Sequence, residues 1–253
     1  MTEKSSRYLT PAWNVRVVED VVFGQARTVD GQIETLRLDV YLPEDDPQPL
    51  RPAILWFHGG GFRPGNDKRQ VYIPQFANAF ASRGYVGIAP DYRVRADPEP
   101  DMAGAVRDAV ADARMAFNWV RAHSHDYGID PNRLVLAGGS AGGMTVLNLC
   151  HEASQPLDRR RDGVFAILDM WGSPDRPYRL FDRVNPNSPP TLLIHGTADA
   201  LVPYQCSYDL SAELTQAGVD NVLLTLPDAP HTPLMHMERI VATMERFLYD
   251  RID

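Results

Sequence analysis

Three side chains in this sequence are suited to nucleophilic catalysis and stand where they could act together. Ser140 lies in "RLVLAGGSAGGMTVLNLC", between two glycine pairs, at the point where a buried-looking apolar run changes its rhythm. Asp199 lies in "TLLIHGTADALVP", three residues after Gly196, and His231 follows "NVLLTLPDAP". A serine hydroxyl is a weak nucleophile until a neighbouring base takes its proton. An imidazole serves best as that base when a carboxylate fixes its tautomer and stabilises the imidazolium. Serine, acid and histidine, each just past an apolar run, are thus the groups required for acyl transfer through a covalent intermediate. Asp228 competes for the acid role but lies too close in sequence to His231 to reach it from a separate loop. His236 is the rival base and falls in the expected last helix, whereas His231 precedes it in the loop.

The glycines around Ser140 have a steric purpose. Gly138-Gly139-Ser140-Ala141-Gly142 fits G-x-S-x-G, in which a serine on a sharp strand-to-helix turn tolerates almost no side chain two residues before or after it. A second glycine-rich stretch, "WFHGGGF" (56–62), follows another apolar run. Three successive glycines let a backbone approach a ligand closely and leave N–H groups for its use. The amides of Gly60, Gly61 and Ala141 are the candidates for an oxyanion hole, where losing one donor typically costs about 2.7–4 kcal/mol. Neither G-x-x-x-x-G-K-[ST] nor G-x-G-x-x-G surrounds these glycines, so a nucleotide-phosphate loop is disfavoured. His58, which heads the stretch, is read as a brace for the loop through backbone hydrogen bonds.

The elements that must hold these groups follow from periodicity. "VRVVEDVVFG" and "ETLRLDVYLP" flank Asp30-Gly31, a hairpin signal, and predict N-terminal antiparallel strands. Beyond the acidic, proline-rich "EDDPQPLRP", strands and helices alternate: "AILWFHGG", "YVGIAPDYR", "RLVLAGG", "VFAILDMWG", "TLLIHG" and "NVLLTLP" are the strands. Helical spacing marks "VYIPQFANAFASRG", closed by Gly84, and the long segment 102–128, with Val106, Val110, Ala113, Phe117 and Val120 on one stripe. It also marks "AGGMTVLNLCHEA", "YQCSYDLSAELTQAG" and "PLMHMERIVATMERFLYDRI". Such alternation predicts an α/β fold with a mostly parallel central sheet covered by helices on both faces, and sites at the carboxyl ends of its strands. No composition break or internal repeat divides the chain, so one domain over 1–253 is expected. Residues 172–190 form one long irregular insert between two core strands, either a short lid or a plain surface loop.

Composition narrows the partners. The 253 residues are 44% hydrophobic, ample for a buried core, and carry a formal net charge of −8. That balance argues against a nucleic-acid surface. The densest basic stretch, Arg159-Arg160-Arg161, is flanked by Asp158 and Asp162 and reads as a solvated loop. Cys150 and Cys206 make neither a disulfide framework nor a CxxC zinc motif. The N-terminal stretch lacks the apolar core of a signal peptide, and no run nears the ~20 apolar residues of a membrane span. A cytoplasmic protein is the default expectation, with no membrane partner, metal or cofactor.

Taken together, "LDVYLPE…PAILWFHGGGF", "ASRGYVGIAPDYR", "YGIDPNRLVLAGGSAGG", "HGTADALVP" and "PHTP" resemble the α/β-hydrolase superfamily over roughly residues 36–248. The resemblance is to the carboxylesterase branch related to hormone-sensitive lipase, and especially to its small feruloyl- and acetyl-xylan-esterase-like members. It implies the α/β-hydrolase fold with Ser140 as nucleophile, His231 as base and Asp199 as acid, and with oxyanion donors at Gly60, Gly61 and Ala141. Asp91-Tyr92-Arg93 matches a structural motif of that branch, and dimerisation is common among its members. The chain departs from large-cap esterases in its short, strand-like N-terminal stretch and modest insert, which implies a minimal cap and a shallow cleft. The expected activity is hydrolysis of small-molecule, short-acyl carboxylic esters. The alternatives are a formamidase or peptidase using the same triad, or a silent scaffold that kept the fold. Phe62, Trp171 and Tyr178 are candidates for a small apolar wall beside the site, with ordinary packing as their other reading.

Overall fold

The computed structural model describes residues 7–252. Eight strands form one sheet: β1 (Val15–Arg27), β2 (Ile33–Pro43), β3 (Arg51–Phe57), β4 (Val86–Pro90), β5 (Ile129–Gly139), β6 (Val164–Met170), β7 (Thr191–Gly196) and β8 (Asn221–Leu226). Their spatial order is β1-β2-β4-β3-β5-β6-β7-β8. β1 and β2 pair antiparallel through the turn at Asp30-Gly31, where Gly31 takes φ +86°, and β2 pairs antiparallel with β4. Every later neighbour is parallel. The crossovers carry α1 (Tyr72–Ala81), α2 (Met102–Ala122), α3 (Ala141–His151), α4 (Arg159–Asp162) and α5 (Tyr204–Gln216), and α6 (Met237–Tyr249) follows β8.

Strand parity sorts the core into two layers. Ala53, Leu55 and Phe57 of β3 and Leu134 and Leu136 of β5 pack with α2, α3 and α5 on one face. Their alternates Ile54, Trp56, Val135 and Ala137 pack with α1 and α6 on the other. A side chain in a strand points opposite to its neighbours, so a run buried at every position needs helices on both sides. The central strands read as near-continuous apolar sequence for that reason, and β5 is buried at every position from Val135 to Gly139.

One local reading changes. Arg159-Arg160-Arg161 is a helical turn, α4, rather than an irregular loop, because the Asp158 carboxylate accepts from the amides of Arg160 and Arg161 at 2.8 and 2.9 Å. Residues 172–190 are irregular and run between β6 and β7, bringing Asp175 and Tyr178 to the strand ends. Among the described residues no helix is long and apolar enough to cross a membrane.

Candidate active site

The carboxyl ends of β3, β5, β7 and β8 converge. Ser140 stands between β5 and α3 at φ 54°, ψ −122°, a strained conformation for a residue with a Cβ. Its amide donates to Met170 O at 2.9 Å, tying the turn to the end of β6. The turn can be this tight only because its flanks are bare. A Cβ on Gly138 would lie 2.3 Å from the Gly142 carbonyl carbon, and one on Gly142 would lie 2.1 Å from Phe57 O.

His231 Nε2 lies 3.0 Å from Ser140 Oγ, and His231 Nδ1 lies 2.7 Å from Asp199 Oδ2. Asp199 Oδ1 accepts from the amides of Leu201 and Val202, each at 2.9 Å. Burial works against the Asp199 anion, but hydrogen bonds from His231 and those two amides prevail and hold its carboxyl below the ordinary aspartate range. An ionised acid therefore faces Nδ1–H, which leaves Nε2 bare toward the serine. This is the arrangement of a nucleophile, a base and an orienting acid.

The rival groups stand elsewhere. Asp228 lies on an exposed turn, its amide donating to Thr197 Oγ1 at 2.8 Å. His236 closes the short 3₁₀ turn Leu234–His236 ahead of α6. His58 is buried, with Nδ1 2.7 Å from Gly59 O, and its ring stacks on Tyr92 with centroids 4.2 Å apart. Burial depresses its pKa, so it braces the glycine loop as a neutral ring. Tyr92 completes that brace, its hydroxyl donating to His58 O at 2.7 Å. Asp91 holds Lys68 at 2.9 Å, and Arg93 forks onto Asp112, so Asp91-Tyr92-Arg93 anchors the loop and the helix behind it.

Gly60, Gly61 and Phe62 take φ values of +115°, +63° and +61°, turning the backbone of that loop sharply beside the serine. Ala141 is the first residue of α3, so its N–H has no acceptor within the helix, and the helix N-terminus favours negative charge there. Gly60, Gly61, Ala141, Ser140 and His231 line one open cleft of about 380 Å³.

Phe62 and Tyr178 also line this cleft, their rings stacked at 6.4 Å between centroids. Trp171 does not. Its φ of +45° ends β6 with the ring turned into the α1 layer, fully buried and edge-on to Tyr72 at 5.6 Å. Sequence reasoning missed Gln70, Met144, Asp175 and Leu201–Pro203, which line the cleft as well. Met144 was recoverable, since it sits four residues after Ser140 and so one helical turn above it.

This fold and site define a member of the α/β-hydrolase class. The BD-FAE family model matches residues 38–166, and the chain belongs to that family. The prolyl oligopeptidase family model matches residues 160–252. The chain is 26% identical to esterase LipC of Mycobacterium tuberculosis over 81% of its length, and 25% identical to the probable carboxylic ester hydrolase LipM of the same organism over 77%. It spans only part of such relatives: 59% of LipC, 52% of LipM and 24% of esterase B1 of Culex pipiens. Among solved structures it is similar to the butyrate-bound esterase Est2 of Thermogutta terrifontis, at 26% identity and TM-score 0.72, with 95% of this chain and 94% of that one covered. The same enzyme phosphonylated by sarin matches with TM-score 0.71, at 26% identity and 95% coverage of both chains.

Proposed function

We propose that this chain hydrolyses short-acyl carboxylic esters of small molecules through an acyl-enzyme on Ser140. The observation that carries the reading is the unbroken contact series from Ser140 Oγ through His231 to Asp199, opening on the cleft that Gly60, Gly61 and Ala141 line. Ser140 Oγ attacks the ester carbonyl as its proton passes to His231 Nε2. The amides of Gly60, Gly61 and Ala141 stabilise the oxyanion that forms. Collapse breaks the bond to the alcohol, which leaves with the proton from His231. Water then gives a proton to Nε2 and attacks the acyl carbon, and the carboxylic acid departs as Ser140 recovers its hydrogen. Asp199 stays ionised throughout and holds the ring in register.

Phe62 and Tyr178, with Met144, form the apolar side of the cleft, and a volume of about 380 Å³ is at the small end for a ligand site. That size supports a short acyl group, and the similar esterase Est2 is described with butyrate and propionate bound. Amide hydrolysis is the second reading, motivated by the prolyl oligopeptidase match; that match covers Asp199 and His231 but begins after Ser140. The test is turnover of p-nitrophenyl esters beside matched p-nitroanilides, with fluorophosphonate labelling of the parent and of Ser140→Ala. Ester turnover and labelling that both vanish in Ser140→Ala are expected. Labelling that survives there overturns the nucleophile, and anilides cleaved as fast as esters overturn the ester reading.

A further inference from the structure

Behind the triad, buried polar side chains continue where apolar ones would be expected. His195, in β7, places Nε2 3.0 Å from Asp199 Oδ2 and 2.9 Å from Val202 O. Its Nδ1 lies 2.7 Å from Ser207 Oγ on α5. Ser207 Oγ is 2.7 Å from Ser173 Oγ, which is 2.6 Å from Oδ2 of Asp169 near the end of β6. Asp169, Ser173, His195 and Ser207 are fully buried. The series runs Asp169–Ser173–Ser207–His195–Asp199–His231–Ser140, so the nucleophile and a carboxyl outside the triad are the two ends of one chain.

Counting hydrogens fixes how this chain is charged. His195 Nε2 faces two acceptors, a carboxylate and a carbonyl, and so must carry a hydrogen. Burial lowers the His195 pKa against the pull of Val202 O and Asp199, so the ring is neutral and Nδ1 is an acceptor. Ser207 has one hydroxyl hydrogen and gives it to Nδ1. Ser173 has one, and with the Ser207 hydrogen spent on His195 it must go to Ser207 for that 2.7 Å link to be bonded at all. No hydrogen is then left for the last link unless Asp169 brings its own. Moving that single proton to the other end would make Asp169 an anion and His195 a cation with both nitrogens protonated. Two charges would then be buried in place of none, a costly exchange. Burial raises the Asp169 carboxyl to about 7, outweighing its contacts with Ser173 Oγ and the Gly172 amide. Its Oδ1 has no hydrogen bond of good geometry and lies against Gly143 in the first turn of α3.

We propose that Asp169, as a neutral carboxylic acid, is a positioning residue: through Ser173, Ser207 and His195 it fixes the Asp199 carboxylate against His231. The inference rests on the triad reading above. The titratable groups facing the chain are His195 from β7, Asp199 after it and His231 from the loop after β8. β5, α3 and α5 present Gly138, Gly143 and Ser207.

The test combines kinetics on a p-nitrophenyl ester from pH 6 to 10 with nitrogen NMR of ¹⁵N-histidine-labelled protein. The carboxamide introduced by Asp169→Asn would still donate to Ser173, so that variant should keep the parent's kcat at pH 6, where Asp169 holds its proton. It should hold that rate at alkaline pH, where the parent declines as Asp169 ionises. Ser207→Ala should lower kcat about tenfold with KM within twofold. The His195 ring should read as neutral with hydrogen on Nε2. A His195 hydrogen on Nδ1, a tenfold loss in Asp169→Asn at pH 6, or an Asp169→Asn profile that falls with the parent's would each overturn the proposal. If Ser207→Ala does not fold, the asparagine variant and the tautomer decide alone. The tautomer is read without turnover, so an inactive parent would overturn the ester reading and leave this measurement standing.

Discussion

Substituting Gly142 by alanine tests whether the nucleophile turn and the oxyanion loop are built as one unit. A Cβ at 142 would sit 2.1 Å from Phe57 O and 2.6 Å from His58 O, both backbone atoms leading into the glycine loop. Real Cβ contacts stop near 3.0 Å, so α3 and the end of β3 must part by about 0.9 Å. That motion separates Ser140 and the Ala141 amide from the amides of Gly60 and Gly61. Displacements on the 1 Å scale cost about 10²-fold in rate, and a lost oxyanion donor costs about 10²–10³ in kcat. We therefore expect kcat to fall by roughly 10²–10³-fold, with KM changed by only a few fold. Overpacking adds about 1–3 kcal/mol of destabilisation, which at 2–4 °C per kcal/mol lowers Tm by roughly 2–12 °C. Gly218→Ala is the control. Gly218 has φ +75° just past α5 with open space around it, so that variant loses stability but not kcat. Steady-state kinetics on p-nitrophenyl acetate with thermal unfolding reads both. A Gly142→Ala kcat within threefold of the parent would refute the argument, because the two loops would then be separable.

Further outcomes follow from other contacts. His231→Ala should abolish ester turnover, whereas His236→Ala should retain most of it; equal losses measured side by side would place the base wrongly. In kcat/KM across C2 to C12 p-nitrophenyl esters, acetyl to butanoyl should lead, since each methylene adds at most about 0.8 kcal/mol and only while the cleft has room; a profile still climbing at C10 would mean a long channel. Trp171→Ala should leave that profile unchanged while costing about 3–5 kcal/mol of stability, a Tm drop on the order of 10 °C; a changed acyl preference would return Trp171 to the cleft. His151, buried on α3, has its pKa lowered by burial to about 3 from the usual 6.5. Above pH 6.5 both states of the chain leave it neutral, and between 6.5 and 3 only the unfolded chain takes up the proton. Stability should thus fall across that window, by a ceiling of about 4–5 kcal/mol. His151→Gln should lose less than the parent in urea melts from pH 6.5 to 4, and parallel losses would remove His151 as the cause.

The candidate triad is legible in the sequence because each member lies within a few residues of the end of its strand. The sheet dictates where strand ends converge, and the glycines that permit the turn at Ser140 are adjacent to it in the chain. Trp171 departs from expectation for a related reason. Ending a core strand suggests facing the site, but side chains at a strand end still obey the parity of the sheet unless the backbone breaks it. Here a φ of +45° at Trp171 does break it, and the ring joins the layer of Met170 and α1 rather than the cleft. A positive φ at a tryptophan is set by tertiary packing and carries no local sequence signal. The buried chain from Asp169 is out of reach in a different way. Its links join residues 4, 34 and 12 apart, and no periodicity relates them. What the sequence does carry is a pair of anomalies, an aspartate in "AILDMWG" and a histidine in "TLLIHG", each inside a strand otherwise apolar. A polar group in such a run must find a partner or a proton. The strand order then brings the two anomalies together, because β6 and β7 are neighbours and both end beside the nucleophile turn.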